Sequence, residues 1–426
     1  MEKRCELCGS VSILCRRTEG GGLMIQVTKP SLPSLYRYMR ELKPVWETKI
    51  LTNNGQECRK LEEILRDILD NPHTVLVSSG HSALELALQA VKDEKECNKP
   101  GPIGAAQTKG KPAYSAIESF PVDAESKWEV ITTPFTFIST TLAILRMGMR
   151  PIFCDIDPDT LTMDPDQMES KITPRTIAIL PVHVYGNICK TGKIREIAEK
   201  YGLSVIYDAA HAFDERVQGT SIAGIGDYVC FSFHATKPFY TGEGGAVCCA
   251  DQEKADRIRR LRNFGYDPAD MGNGICGIGT NAKMSELHAA LGICSLEHLE
   301  ADRERRRRIW QTYNRRLKCT AGLTLPHIEK GVRSNYAYYP VLIDPQAFGT
   351  DRDRVQQVLA ECRVETRRYF YPLTSELCGE PHIGLPNAFK ASRQVLALPI
   401  YPSLPRKEAE RICDILLSLY RVRRAA

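Results

Sequence analysis

Phe231-Ser232-Phe233-His234-Ala235-Thr236-Lys237, followed at once by Thr241-Gly242-Glu243-Gly244-Gly245, sets a lysine between hydroxyl-bearing residues and a glycine-rich turn. The flanks, residues 228–233 and 246–250, are apolar, so the chain enters and leaves the segment through buried strands. An amine in such surroundings loses hydration and its pKa falls, which makes the neutral, nucleophilic form available for condensation with a carbonyl. Read alone, the segment is equally a lysine in an ordinary glycine-rich turn.

Working outward, strand-like and helix-like segments alternate from Leu61 onward, the pattern of an α/β domain with a largely parallel sheet. Strands are expected over 74–78, 129–132, 151–155, 178–182, 204–207 and 228–232, with helices over 83–91 and 194–201 between them. Residues 92–127, rich in Pro, Gly, Lys and Ser, interrupt the alternation and read as a long surface insertion. Further on, a helix over 295–317, a strand over 335–343, a helix over 352–362, a segment over 364–371 and a helix over 406–420 make a second, smaller α/β domain. The expected division is an N-terminal extension over 1–23, a large domain over 24–298 and a small domain over 299–426.

Composition narrows the classes. The 426 residues are 43% hydrophobic and 26% charged, proportions of an ordinary soluble globular chain. Sixteen cysteines are scattered and several lie in apolar runs, as do Cys154, Cys230, Cys248 and Cys249, so most of them read as reduced core thiols. Cys5, Cys8 and Cys15 lack the second pair that a zinc knuckle needs. No run approaches the roughly 18 apolar residues of a membrane span, and residues 1–22 are too polar for a signal peptide; a cytoplasmic protein is expected. A net charge of +5 gives little support for nucleic-acid binding. Arg303 and Arg305 to Arg308 read as a solvated helix surface with glutamates interspersed.

Four segments converge on one ligand. Ser78-Ser79-Gly80-His81-Ser82 ends a strand and opens a helix, where backbone N–H groups and the dipole favour a phosphate; Ser82 and Glu85 have capping-box spacing. Asp208, at the carboxyl end of a strand and before Ala209-Ala210-His211, lies where open α/β sheets bind ligands, and would keep a pyridine nitrogen protonated. A helix N-cap is the alternative reading. Pro134-Phe135-Thr136-Phe137 offers an aromatic face, though such aromatics are often core. Ser232, five residues before Lys237, is suited to the phosphate of a ligand whose aldehyde meets the lysine.

With these segments in this order, the chain resembles the pyridoxal-phosphate-dependent sugar aminotransferases of the DegT/DnrJ/EryC1/StrS family, within aspartate aminotransferase fold type I. The matching stretches include Val27-Thr28-Lys29-Pro30, Thr52-Asn53-Asn54-Gly55, Asp208-Ala209-Ala210-His211, Gly279-Thr280-Asn281-Ala282-Lys283 and Leu396-Ala397-Leu398-Pro399. The resemblance implies pyridoxal 5′-phosphate as cofactor, with Lys237 as internal-aldimine lysine and general acid/base and Asp208 on the pyridine nitrogen. It implies Phe137 stacked on the ring, His211 near the ring hydroxyl, and Ser232, Gly80 and His81 at the phosphate. Asn281 matches an asparagine that reaches the neighbouring subunit's phosphate, which implies a homodimer with shared sites. The implied reaction moves an amino group, usually from L-glutamate, to a nucleotide-linked keto-sugar such as a 4-keto-6-deoxyhexose, by ping-pong kinetics. Neither nucleic acid nor membrane is an expected partner. The rivals are a sugar dehydratase, in which the family's lysine position is typically His, and a non-catalytic protein that retains the fold. His183 and Tyr185 fall in a pocket-lining motif or in the core, and the sequence leaves both open. At Ser79-Gly80-His81 an imidazole replaces the family's small hydroxyl, and Thr374 stands where it often has His.

Overall fold

The computed structural model describes residues 24–97, 126–266, 275, 277–380 and 383–425. The N-terminal extension with Cys5, Cys8 and Cys15 and most of the 92–127 insertion lie outside them. Seven strands form the central sheet: β1 (Thr74–Val77), β2 (Glu129–Thr132), β3 (Arg150–Phe153), β4 (Thr176–Leu180), β5 (Ser204–Asp208), β6 (Tyr228–Ser232) and β7 (Gly245–Cys249). Their order is β1-β7-β6-β5-β4-β2-β3. The pairings β2/β3, β2/β4, β4/β5 and β5/β6 are parallel, whereas β7 pairs antiparallel with both β6 and β1. The lysine segment is therefore the connection that reverses the chain from β6 into β7.

The sheet is covered on both faces, which is why its strands read as unbroken apolar runs. On one face Ile179, Val205, Tyr207, Val229 and Phe231 meet Leu61, Leu65 and Leu69 of helix α2 (Gln56–Leu69), which follows α1 (Leu35–Thr48). On the other, Ala178, Leu180, Ile206, Tyr228 and Cys230 meet Leu84, Ala87, Leu88 and Val91 of α3 (Gly80–Cys97) and Ala143 and Ile144 of α4 (Ile138–Arg146). Residues one apart fall on opposite faces, as the two-residue period of a strand requires. Helices α5 (Thr191–Tyr201), α6 (Gln252–Leu261) and α7 (Glu286–Leu296) complete this layer structure.

A smaller antiparallel sheet, in order β8 (Leu323–Thr324), β9 (Pro340–Ile343), β10 (Val395–Ala397), packs against α8 (Leu299–Leu317), α9 (Arg352–Glu361) and α10 (Arg406–Ala425). Ile25 joins this second core through a bridge to Val364.

Several local expectations need correction. The helix expected over 83–91 starts at Gly80 and continues to Cys97, so the first residues of the 92–127 insertion are helical. Its cap is Ser79, whose Oγ accepts from Ser82 N at 3.0 Å, and Glu85 pairs with Arg146 and His81 instead of closing a box with Ser82. The stretch 295–317 is divided between α7 and α8. The strand expected over 335–343 is confined to β9, because residues 334–338 bond to the large sheet's loops. Of the five arginines, Arg303 and Arg306 are buried: Arg303 pairs with Asp214, and Arg306 Nε donates to Asn335 O at 3.0 Å. Only Arg305, Arg307 and Arg308 form the acid-paired surface expected, with Asp302 and Glu304. Cys154, Cys230, Cys248 and Cys249 are free and buried, as read.

Candidate active site

The parallel strands end on one edge, and four strand-to-loop junctions meet there. Register puts Val77 of β1 and Ser232 of β6 on either side of Gly245 of β7, with Asp208 of β5 beside Cys230. A cleft of about 340 Å³ opens above this edge, lined by Gly80, His81, Phe137, Asp208, His211, Ser232 and Lys237. Asn281 is exposed and outside it, bridged to Asn263.

Lys237 brings its amine into the cleft, where burial lowers its pKa to about 8. Its Nζ donates to the hydroxyl of Tyr338 at 3.0 Å. Asp208 is 5% exposed; its Oδ2 accepts from Thr140 Oγ1 at 2.8 Å and its Oδ1 from Ala210 N at 3.0 Å. Burial raises its pKa even so. Among the described residues no cation forms an ion pair with this carboxylate, although Lys237 is near enough to act on it, and a protonated pyridine nitrogen is a group of the right charge to complete it.

The turn after β1 has the shape of an anion cradle. A Cβ on Gly80 would stand 2.5 Å from Cβ of Ser232, and one on Gly245 would stand 2.6 Å from the carbonyl carbon of Ser79, so only glycines let the two loops approach. Gly80 and His81 open α3, whose first N–H groups have no intrahelical acceptor and point outward with the positive end of the helix dipole. The His81 side chain is turned aside: Nδ1 lies 2.9 Å from Ser139 Oγ and Nε2 3.3 Å from Glu85 Oε1. Its backbone, and not its imidazole, remains for a phosphate.

Phe137 caps α4 and is 55% exposed, lining the cleft, unlike a core aromatic. His211 is buried, which holds it neutral, and its Nδ1 accepts from Tyr185 N at 3.0 Å. Its ring stacks 5.7 Å from Phe370. The pocket-lining motif splits: His183 is a core residue, stacked 4.9 Å from Tyr207 with Nδ1 accepting from Cys189 N, whereas Tyr185 stands behind His211. Thr374 is buried away from the cleft and accepts from Thr141 Oγ1 at 2.9 Å.

Four further residues belong to this place without having been singled out. Thr140, Tyr338, Arg367 and Phe370 either hold Asp208 or line the cleft. Thr140 sits one helical turn after Thr136, a signal too common to notice, and the other three arrive from the small sheet's side, whose docking no local pattern announces.

A lysine of lowered pKa, an aspartate at a parallel strand's end and a glycine-built cradle, on a sheet of this topology, define a pyridoxal-phosphate-dependent aminotransferase of fold type I. Comparison with known proteins agrees. Residues 36–98 and 115–417 match the DegT/DnrJ/EryC1/StrS aminotransferase family, to which the chain belongs. It is 38% identical over 397 residues to dTDP-4-amino-4,6-dideoxy-D-glucose transaminase of Shigella dysenteriae, spanning 92% of this chain and 98% of that one. It is 35% identical over 365 residues to UDP-2-acetamido-2-deoxy-3-oxo-D-glucuronate aminotransferase of Pseudomonas aeruginosa, covering 85% and 90%. The crystal structure of DesI with its TDP-sugar product superposes with a TM-score of 0.82 at 32% identity, covering 95% of each chain. The protein is a sugar aminotransferase that uses pyridoxal phosphate. Among the described residues no helix is long and apolar enough to cross a membrane.

Proposed function

We propose that the enzyme moves an amino group from L-glutamate to a nucleotide-linked 4-keto-6-deoxyhexose, in two half-reactions at one site. The observation that carries the reading is the amine of Lys237, with a pKa of about 8, in one cleft with the buried carboxylate of Asp208. The choice of sugar is supported by the Shigella relative, whose name specifies an amino group at C4 of a 4,6-dideoxyhexose.

When bound, pyridoxal phosphate supplies a protonated pyridine ring that delocalises the electron pair left on a substrate carbon. Asp208 would hold the ring nitrogen, with Thr140 and Ala210 orienting its two oxygens. The Ser232 hydroxyl and the N–H groups of Gly80 and His81 would hold the phosphate. Phe137 would cover one face of the ring and neutral His211 would stand beside its hydroxyl. Lys237, neutral above pH 8, would take the proton from the donor's Cα and later return a proton to the acceptor's carbon. Tyr338, Tyr369 and Phe370 line the cleft on the small sheet's side and would limit the access of water.

The large domain over 24–298 would carry the cofactor and the small domain over 299–426 would close upon it. Asn281 would serve the phosphate of a second copy. In support, Asn281 is exposed, and α1 and the residues after it present Leu35, Tyr36, Met39, Trp46, Ile50 and Leu51 to solvent, an apolar set that a homodimer would cover. The expected setting is amino-sugar synthesis for lipopolysaccharide or antibiotics, in the cytoplasm.

The test loads purified protein with pyridoxal phosphate and L-glutamate, then adds dTDP-linked 4-keto-6-deoxyglucose and, separately, a UDP-linked 3-keto sugar. Mass spectrometry should find the amino sugar from the first. Product from the second alone would move the reading to 3-keto sugars, and product from neither would overturn it.

A further inference from the structure

Tyr338 immediately precedes Tyr339 and β9, on the small sheet's side of the cleft, yet its hydroxyl reaches across to Lys237 Nζ at 3.0 Å. Among the described residues no other group hydrogen-bonds that nitrogen. The tyrosine ring is boxed in by His211 at 4.6 Å, Tyr185 at 5.9 Å and Tyr369 at 6.3 Å between centroids. A phenol so placed needs a hydrogen-bond partner to offset its lost hydration, and the partner here is the amine.

The approach is enforced by the chain before it. Glu215, fully buried, accepts from Asn335 N at 3.2 Å and from Ser334 Oγ at 3.3 Å. Asn335 Nδ2 donates to His211 O at 2.9 Å and Phe213 O at 3.2 Å, and its Oδ1 accepts from Ala337 N at 2.9 Å. Arg306 Nε fixes Asn335 O at 3.0 Å. Tyr336 takes a φ of 54°, a left-handed conformation that costs a non-glycine residue free energy and persists only where its surroundings impose it. Residues 334–337 are thus pinned to the loop that carries His211, and the pinning delivers the Tyr338 hydroxyl to the amine.

We propose that Tyr338 is a further catalytic residue, whose hydroxyl holds the free amine of Lys237 in one position facing the cleft between its proton transfers. When the amine carries its proton, the hydroxyl accepts from Nζ; when the amine is neutral, the hydroxyl turns its own hydrogen to the nitrogen lone pair. The tyrosine keeps its proton in both states, since burial raises its pKa. A long, four-carbon side chain released into a cleft of this size has several rotamers, and a general base is effective only in the one within reach of its proton. The proposal rests on reading Lys237 as the reacting amine.

The test is Y338F, which removes one oxygen and keeps the ring. In cofactor-free protein, pulse acylation read by mass spectrometry should label Lys237 about fivefold faster than in wild type, because the lost hydrogen bond had favoured the charged, immobile amine. In loaded enzyme kcat should fall between about ten- and a hundredfold with little change in KM for the sugar, and the isotope effect from donor deuterated at Cα should grow. Reactivity and turnover then move in opposite directions. Wild-type labelling and wild-type kcat in Y338F would overturn the proposal. Should Y338F not fold, Asn335→Ala, which loosens the loop and leaves the hydroxyl, is expected to raise labelling in the same direction; unchanged labelling there counts equally against it. Borohydride reduction of each loaded protein separates the two readings: cofactor mass on the Lys237 peptide keeps the amine's role, and its absence from wild type removes that role instead.

Discussion

Thr140 Oγ1 donates to Asp208 Oδ2 at 2.8 Å, so the first turn of α4 fixes the carboxylate that ends β5. Removing a donor from a buried carboxylate leaves an oxygen unsatisfied, at about 1–3 kcal/mol. Thr140→Val keeps the shape and deletes the bond. Its dissociation constant for pyridoxal phosphate, from spectrophotometric titration, is expected to rise about tenfold, with a smaller loss in thermal stability. Unchanged affinity would mean that the hydroxyl does not orient Asp208 for the cofactor.

Gly80 and Gly192 make a matched pair. A Cβ at Gly80 meets the Cβ and backbone of Ser232 at 2.5 and 2.9 Å, whereas one at Gly192, in the first turn of α5, meets nothing within 4 Å. Gly80→Ala should therefore separate the two loops, lowering stability by about 1–3 kcal/mol and weakening cofactor binding. Gly192→Ala should be neutral or stabilise by up to about 1 kcal/mol through helix propensity. Denaturant melts of both variants with and without cofactor check the contrast.

The large sheet was legible because each of its central strands is a short apolar run bounded by turn residues, and two were delimited at the observed residues, 129–132 and 228–232. The cleft was legible for a related reason: its residues follow strands, and strand ends in a parallel sheet converge. Contributions that depend on docking of distant chain were not. Nothing in the spacing of Asn335, Tyr336 and Tyr338 distinguishes a strand from a loop pinned to Glu215 and His211, since the bonds that decide it span about 120 residues. Arg303 and Arg306 misled for the opposite reason. Their i, i+3 spacing puts them on one helix face, but which face turns inward is set by Asp214 and Asn335 far away in sequence.

The burial of Lys237 also makes a claim on stability. Its pKa falls from 10.5 in water to about 8 in the folded, cofactor-free protein. Between these values the unfolded chain binds a proton that the folded chain does not, so stability rises with pH across that window and the penalty is complete below pH 8. Lys237→Met removes the penalty with the activity. The variant should be more stable than wild type by about 3 kcal/mol at pH 7, and the difference should shrink toward zero as pH approaches 10.5. A stability gap that stays constant from pH 7 to pH 10.5 would show that the amine is not desolvated on folding.

The last prediction concerns assembly. If Asn281 serves a partner's phosphate, Lys237→Ala and Asn281→Asp disable different halves of a shared site. Each homodimer is then crippled, Lys237→Ala outright and Asn281→Asp through weakened cofactor binding and charge repulsion. When the two are unfolded and refolded together, half of the dimers combine one chain of each kind. One of the two sites in such a dimer takes Lys237 from one chain and Asn281 from the other and is intact. Activity should recover to about a quarter of wild type per chain, the product of one half and one half. Recovery of this size, with a dimer mass by light scattering, establishes both the sharing and the residue that crosses. No recovery, together with a monomer mass, would leave Asn281 a surface residue and the apolar face of α1 in need of another occupant.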